Sequence, residues 1–136
     1  MVLVDTSVLS LILRRENSDK HTKEFINLLT ENRTFIIGPI KQELLSGISD
    51  EKQFHLLKDK LKAIPEIIIT NEDYEKAAFF FNVCRKRGVQ GSHIDFLICA
   101  VAFHNNMAIY SLDQDFTYFQ KCLDIKLYQI GLLESF

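Results

Sequence analysis

Short apolar runs alternate along this chain with longer stretches whose apolar positions recur every three or four residues. Val2-Leu3-Val4 is the first short run, and Thr6 or Ser7 starts a helix through about Leu13. Ser18 is placed to cap a second helix, with Phe25, Leu28 and Leu29 on one face. Thr34 to Ile37 reads as a second strand. Pro39 suits the first turn of a helix that reaches Ser46 and is stopped by Gly47. Ser49 or Asp50 caps the next helix, which carries Phe54, Leu57 and Leu61. The β-branched run Ile67-Ile68-Ile69, between Pro65 and Thr70, predicts a third strand. Asn71 starts a long helix ending before Gly88, and Ser92 caps another. Met107 to Tyr110 and Ile125 to Gln129 supply the fourth and fifth strands.

Strands separated throughout by helices imply a parallel sheet wrapped on both faces, an α/β sandwich. Ligands in such sheets bind at the carboxyl ends of the strands, near a switch in strand order. The chain has 136 residues and shows no internal repeat, low-complexity stretch or linker, so one domain over 1–136 is expected. In the long helix, Tyr74, Ala77, Ala78, Phe81 and Cys84 share a stripe that should pack on the sheet. Phe79 and Val83 point nearly the other way, with Phe80 on the flank and Glu75, Lys76 and Lys86 around them. An apolar cluster rimmed by charge is what an interface with a second copy looks like.

Hydrophobic content of 47% and charged content of 25% fit a soluble globular protein rather than a disordered or membrane chain. The longest uncharged apolar run, Phe96 to Phe103, falls well short of the ~20 residues that span a bilayer. Asp5 interrupts the N-terminal apolar run too early for a signal segment. Cys84, Cys99 and Cys122 cannot all pair and have no C-x-x-C spacing, so reduced thiols and a cytoplasmic location are expected. A net charge of −2 lacks the overall basicity of many nucleic-acid binders. Arg14-Arg15 and Arg85-Lys86-Arg87 are local basic patches, although cations also simply favour helix C-termini.

Four acids change the picture. Asp5 closes the first strand, Glu43 lies four residues past Pro39, Asp95 opens the apolar helix, and Asp113 follows the fourth strand. Each has an ordinary structural explanation. Asp5-Thr6-Ser7 reads as a strand-to-helix turn, and Asp95 suits a first helical turn. Asp113 or Asp115 can cap a short helix holding Phe116 and Phe119, and Glu43 can be a solvated surface residue. All four falling at one sheet edge is much harder to explain that way. Carboxylates beside so much apolar sequence need compensation, and the natural compensator is a hard divalent ion, Mg²⁺ or Mn²⁺. That chemistry serves phosphodiester cleavage.

Taken in order, these segments carry a resemblance. Val2-Leu3-Val4-Asp5-Thr6-Ser7-Val8-Leu9 resembles the opening of PIN-domain ribonucleases, especially the VapC-type toxins of toxin–antitoxin modules. Pro39-x-x-x-Glu43-Leu44 is similar to their second motif, and Asp95 through Ala102 to their third. Ser111-Leu112-Asp113-Gln114-Asp115-Phe116 resembles the fourth, in which a hydroxyl residue precedes the acid. Cys99 and Ser111 stand where alanine and threonine are common in the family. The resemblance spans essentially the whole chain. It implies a five-stranded parallel sheet between helices and a Mg²⁺- or Mn²⁺-dependent endoribonuclease. It also implies homodimerisation and silencing by a cognate antitoxin protein, with RNA as substrate. The expected metal ligands are Asp5 and Asp95, helped by Asp113. Glu43 is expected to hold a metal-bound water or accept its proton, and Thr6, Ser111 and Asp115 to support the acids from behind.

The serious competitor is a PIN-like RNA-binding module without cleavage, against which the complete set of four acids argues. Gly88-Val89-Gln90-Gly91 has the G-x-x-G form of RNA-clamping loops but carries no basic residue between its glycines. A phosphoacceptor domain normally has two adjacent acids after its first strand, where only Asp5 stands. Walker A, dinucleotide-binding and H-E-x-x-H motifs are absent, and His21, His55, His93 and His104 show no metal-ligand spacing.

Overall fold

The computed structural model describes residues 1–13 and 19–130. Five strands form one sheet: β1 (Val2–Val4), β2 (Thr34–Ile37), β3 (Glu66–Ile67), β4 (Ala108–Tyr110) and β5 (Lys126–Leu127). Their order is β3-β2-β1-β4-β5, and every neighbouring pair is parallel. Parallel neighbours need long crossovers, which helices provide. These are α1 (Thr6–Leu13), α2 (Asp19–Thr30), α3 (Gly38–Leu45), α4 (Glu51–Leu61), α5 (Asn71–Lys86), α6 (His93–His104) and α7 (Asp115–Cys122). Val2, Leu3 and Val4 are all buried, as a central strand covered on both faces requires. The result is the three-layer α/β/α sandwich that the hydrophobic pattern predicts.

Strand order reverses at β1. The chain first builds outward to β2 and β3, then returns to lay β4 and β5 on the opposite side. The crevice at such a switch opens between the carboxyl ends of β1 and β4. Their register pairs Val4 with Tyr110, and the Asp5 amide donates to the Tyr110 carbonyl at 2.9 Å. Asp5 and Ser111 therefore leave the sheet side by side.

The expected caps at Asp50 and Ser92 form, as does a Thr70 cap for α5, the last two as reciprocal capping boxes with Asp73 and Asp95. Ser18 and the Arg14-Arg15 patch lie outside the described residues. The third strand is shorter than Ile67-Ile68-Ile69 suggests: only Glu66 and Ile67 pair, and Ile68 is 85% exposed. It is a sheet edge, and the chain must leave it within three residues so that Thr70 can cap α5.

The largest difference concerns α5, which packs against α6 and α7 rather than on the sheet. Its buried positions are Asp73, Ala77, Phe80 and Cys84, while Tyr74 and Ala78 are exposed. The face is rotated because Asp73 is a buried acid with a partner, His104 at the end of α6. Phe80 accordingly meets Phe103 edge-on at 5.7 Å instead of lying on an open flank. At the other end of this antiparallel pair, Gly88 (φ +77°) closes α5. Gly91 has no room for a side chain, because a Cβ there would lie 2.4 Å from the buried ring of Phe119.

Burial alone would raise the Asp73 carboxyl, but hydrogen bonds from His104 and Thr70 outweigh it and hold it below the ordinary value of 3.8. A depressed carboxylate contributes stability above its unfolded pKa and loses it as pH falls through the folded one. Asp73→Ala should therefore cost about 2–3 kcal/mol at neutral pH, from one lost cap and one lost buried bond. Urea denaturation should show the gap to wild type closing as pH drops below 3.8.

Candidate active site

β1 ends by delivering Asp5 into the crevice, where it is only 8% exposed. Its Oδ2 accepts hydrogen bonds from Ser7 Oγ at 2.8 Å and Ser111 Oγ at 2.7 Å. Ser7 Oγ also accepts from the Leu112 amide at 2.9 Å, and Ser111 Oγ from the Asp113 amide at 3.0 Å. Two hydroxyls thus staple the β1–α1 turn to the loop after β4, and both donate their protons to the same carboxylate oxygen. Oδ1 of Asp5 accepts no hydrogen bond among the described residues.

Asp95 stands at the third position of α6, half-buried. Its Oδ2 accepts from the Ser92 amide at 3.0 Å, closing the capping box. Burial raises its pKa; the Ser92 hydrogen bonds work against this, and the charges of Asp5 and Asp113 add to it. Glu43, on the solvent-facing side of α3, is also raised, first by desolvation and then by Asp5 and Asp95. The Thr6 hydroxyl acts to lower Glu43. That contact falls short of hydrogen-bond geometry, and Thr6 Oγ1 is buried without a partner among the described residues. Asp113 is exposed, and its Oδ1 accepts from the Asp115 amide at 2.9 Å. It therefore closes a turn just ahead of α7, whose N-cap position is Gln114. Cys99, one turn past Asp95, lies beneath the acids, and its thiol is pushed up by burial and then by Asp95, Cys84 and Asp5.

The four predicted acids are close enough for their charges to act on one another: Glu43 with Asp5 and Asp95, and Asp95 with Asp5 and Asp113. Ser111 donates to Asp5. Thr6 faces Glu43, and Asp115 meets Asp113 through its backbone amide. Ser7 was read from sequence only as a cap, yet it donates directly to Asp5. The signal was there: a hydroxyl two residues after an acid, at a strand-to-helix turn.

The donor set suits a hard divalent ion. It consists of oxygens alone, carries excess negative charge, and includes an orphaned hydroxyl at Thr6. Among the described residues, no three His, Cys, Asp or Glu side chains already stand close enough to enclose an ion by themselves. Mg²⁺ does not require that, since it keeps several waters and takes few protein ligands.

The family model for the PIN domain matches residues 2–121. No curated protein sequence matches the chain. Among solved structures, the chain is similar to FitAcB from Neisseria gonorrhoeae (TM-score 0.78, 17% identity), with 95% of this chain and 97% of that one covered. It is similar to VapBC2 from Rickettsia felis bound to a promoter DNA fragment (TM-score 0.78, 15% identity, 94% and 98% covered). A third is VapBC-5 from Mycobacterium tuberculosis, a member of the VapBC family of toxin–antitoxin systems (TM-score 0.69, 15% identity, 94% and 97% covered).

Crowded carboxylates should cost the metal-free protein stability. Because the Asp95 pKa is raised on folding, its ionised form is penalised at neutral pH, and the penalty fades as the group protonates. Asp95→Asn keeps an oxygen for the Ser92 amide while removing the charge. In a chelator at neutral pH it should melt higher than wild type, by a few degrees in order of magnitude. Melting curves should converge as pH falls toward the ordinary value of 3.8.

Proposed function

The chain belongs to the PIN domain family, and from that premise we propose that it is a Mg²⁺- or Mn²⁺-dependent endoribonuclease, the toxin of a toxin–antitoxin pair. PIN domains are generally nucleases and generally use divalent metals. The observation that carries the reading is the convergence of Asp5, Glu43, Asp95 and Asp113 at the β1–β4 switch, where two of them are pushed up in pKa by burial and by the other acids.

Asp5 and Asp95 would hold the ion, each with one carboxylate oxygen fixed by hydrogen bonds. Asp113, exposed at the rim, would help to hold it. A bound Mg²⁺ or Mn²⁺ would supply an activated water and offset charge growing on the scissile phosphate. Glu43 is the residue that would accept a proton there, and its raised pKa makes its carboxylate a better base than that of an ordinary glutamate. Ser7 and Ser111 keep Asp5 oriented, so little reorganisation is needed as charge develops.

The fold shared with a member of a toxin–antitoxin system supports an antitoxin protein as partner. A homodimer is supported by Phe79, 60% exposed, and Phe103, 39% exposed, which flank the ammonium of Lys76. Phe80, buried, does not join that surface. No described helix is long and apolar enough to cross a membrane.

Asp5→Asn or Asp95→Asn should lower Mg²⁺-dependent cleavage of single-stranded RNA by about a hundredfold or more. Cleavage at the wild-type rate in both variants, with contaminating nucleases excluded, would remove the mechanism. Mg²⁺ or Mn²⁺ should also raise the wild-type melting temperature by mass action on the folded state. The same titration on Asp95→Asn should give a smaller rise, and an equal one would put the ion elsewhere.

A further inference from the structure

At the start of the helix that carries Asp95, three side chains from two helices form a stack that the metal chemistry does not use. The rings of Phe81 (α5) and His93 (α6) lie nearly parallel, 5.3 Å between centroids and 17° between planes. The Arg85 guanidinium sits 5.6 Å from the Phe81 centroid. His93 is exposed, although it holds the first position of a helix whose interior is otherwise buried. The stack borders a largely apolar groove of about 490 Å³ between α5 and α6, lined by Tyr74, Ala78, Asn82 and Leu97 among others.

We propose that this stack is a nucleobase subsite, on which a base of the single-stranded RNA next to the scissile phosphate lies against the His93 ring. The inference rests on the ribonuclease reading and names how that site takes its substrate. Bases stack on aromatic and guanidinium planes, and cations beside such planes follow the phosphate backbone. Both elements are present: a preformed stack, and Arg85, Lys86 and Arg87, all exposed, at the end of α5. Position supports the same occupant. His93 and Asp95 are two residues apart at one helix end, so the platform and the acid stand on different sides of a cylinder about 10–12 Å wide. A strand with its phosphate at the acids needs only to cross the start of α6 to set a neighbouring base on His93. The helix N-terminus there favours the phosphate it passes.

The parallel stack also explains why α6 begins with an exposed aromatic side chain. Lying flat on the partly buried Phe81 covers one face of the His93 ring and fixes its orientation, so an exposed ring is already held in place before a base arrives. Stacking carries little sequence information, so the subsite adds affinity and register rather than strict base choice.

The test compares fluorescently labelled oligo-A and oligo-U with an abasic ribose–phosphate oligomer of the same length and charge, in EDTA to prevent cleavage. Wild type should bind the base-bearing strands about tenfold more tightly than the abasic strand. His93→Ala should lose that preference while binding the abasic strand as wild type does, and His93→Phe should restore it. An unchanged preference in His93→Ala would overturn the subsite and leave the nuclease reading standing. Wild type binding none of the strands, in EDTA and again with Ca²⁺ in place of the chelator, would overturn both. Sedimentation velocity supplies the remaining arm: if His93→Ala lowers the oligomeric mass, the groove belongs to a second copy of the chain and the subsite is wrong.

Discussion

A carboxylate buried at the end of an apolar strand is the constraint on which the rest of this structure depends. Asp5 follows three fully buried residues and is itself nearly inaccessible. An ionised group in that position is costly unless its oxygens are satisfied. Ser7 and Ser111 satisfy one of them, and they can do so only if the turn after β1 and the loop after β4 are held together. The parallel register of β1 and β4 brings the two segments side by side, and the Ser7 and Ser111 hydroxyls then staple them. Sheet topology and site chemistry are therefore not separate specifications: the strand order that opens the crevice also brings the second hydroxyl to the acid.

The remaining acids are held by local devices rather than by the sheet. Asp95 closes the capping box of α6, and Asp113 ties the turn that leads into α7. Each carboxylate serves twice, once toward its own helix and once toward the cluster. Holding like charges in one pocket without a counter-ion opposes stability, which is how functional sites commonly differ from the rest of a fold. The scaffold compensates elsewhere, notably where Asp73 meets His104 and along the buried face of α6, whose Cys99, Ala100 and Ala102 permit close approach.

Much of this was legible in the sequence, for identifiable reasons. Helix starts at Asn71 and Ser92 and the stop at Gly47 are local chemistry, written within a few residues. The four acids were visible because each interrupts an apolar segment. What escaped reading was decided by partners far along the chain. The face of α5 was assigned from Tyr74, Ala78 and Phe81, because nothing near Asp73 shows that His104, 31 residues later, will bury it. Ile68 carries a strong strand propensity, but a sheet edge and the approach to Thr70 overrule it. Thr6 and Asp115 were expected behind the acids as side chains. The first faces Glu43 and the second contributes an amide, distinctions of geometry that residue type does not encode.

The ring of Phe119 occupies the space that a side chain at position 91 would need. That single encroachment joins the entrance of α6 to the middle of α7, and so joins the carriers of Asp95 and Asp113. It also gives the two positions a shared history. A lineage that enlarges residue 91 must first shrink residue 119, and one that shrinks residue 119 opens a void that invites growth at 91. Among divergent relatives, the pair should drift together, with the order of the two changes fixed by which intermediate still folds.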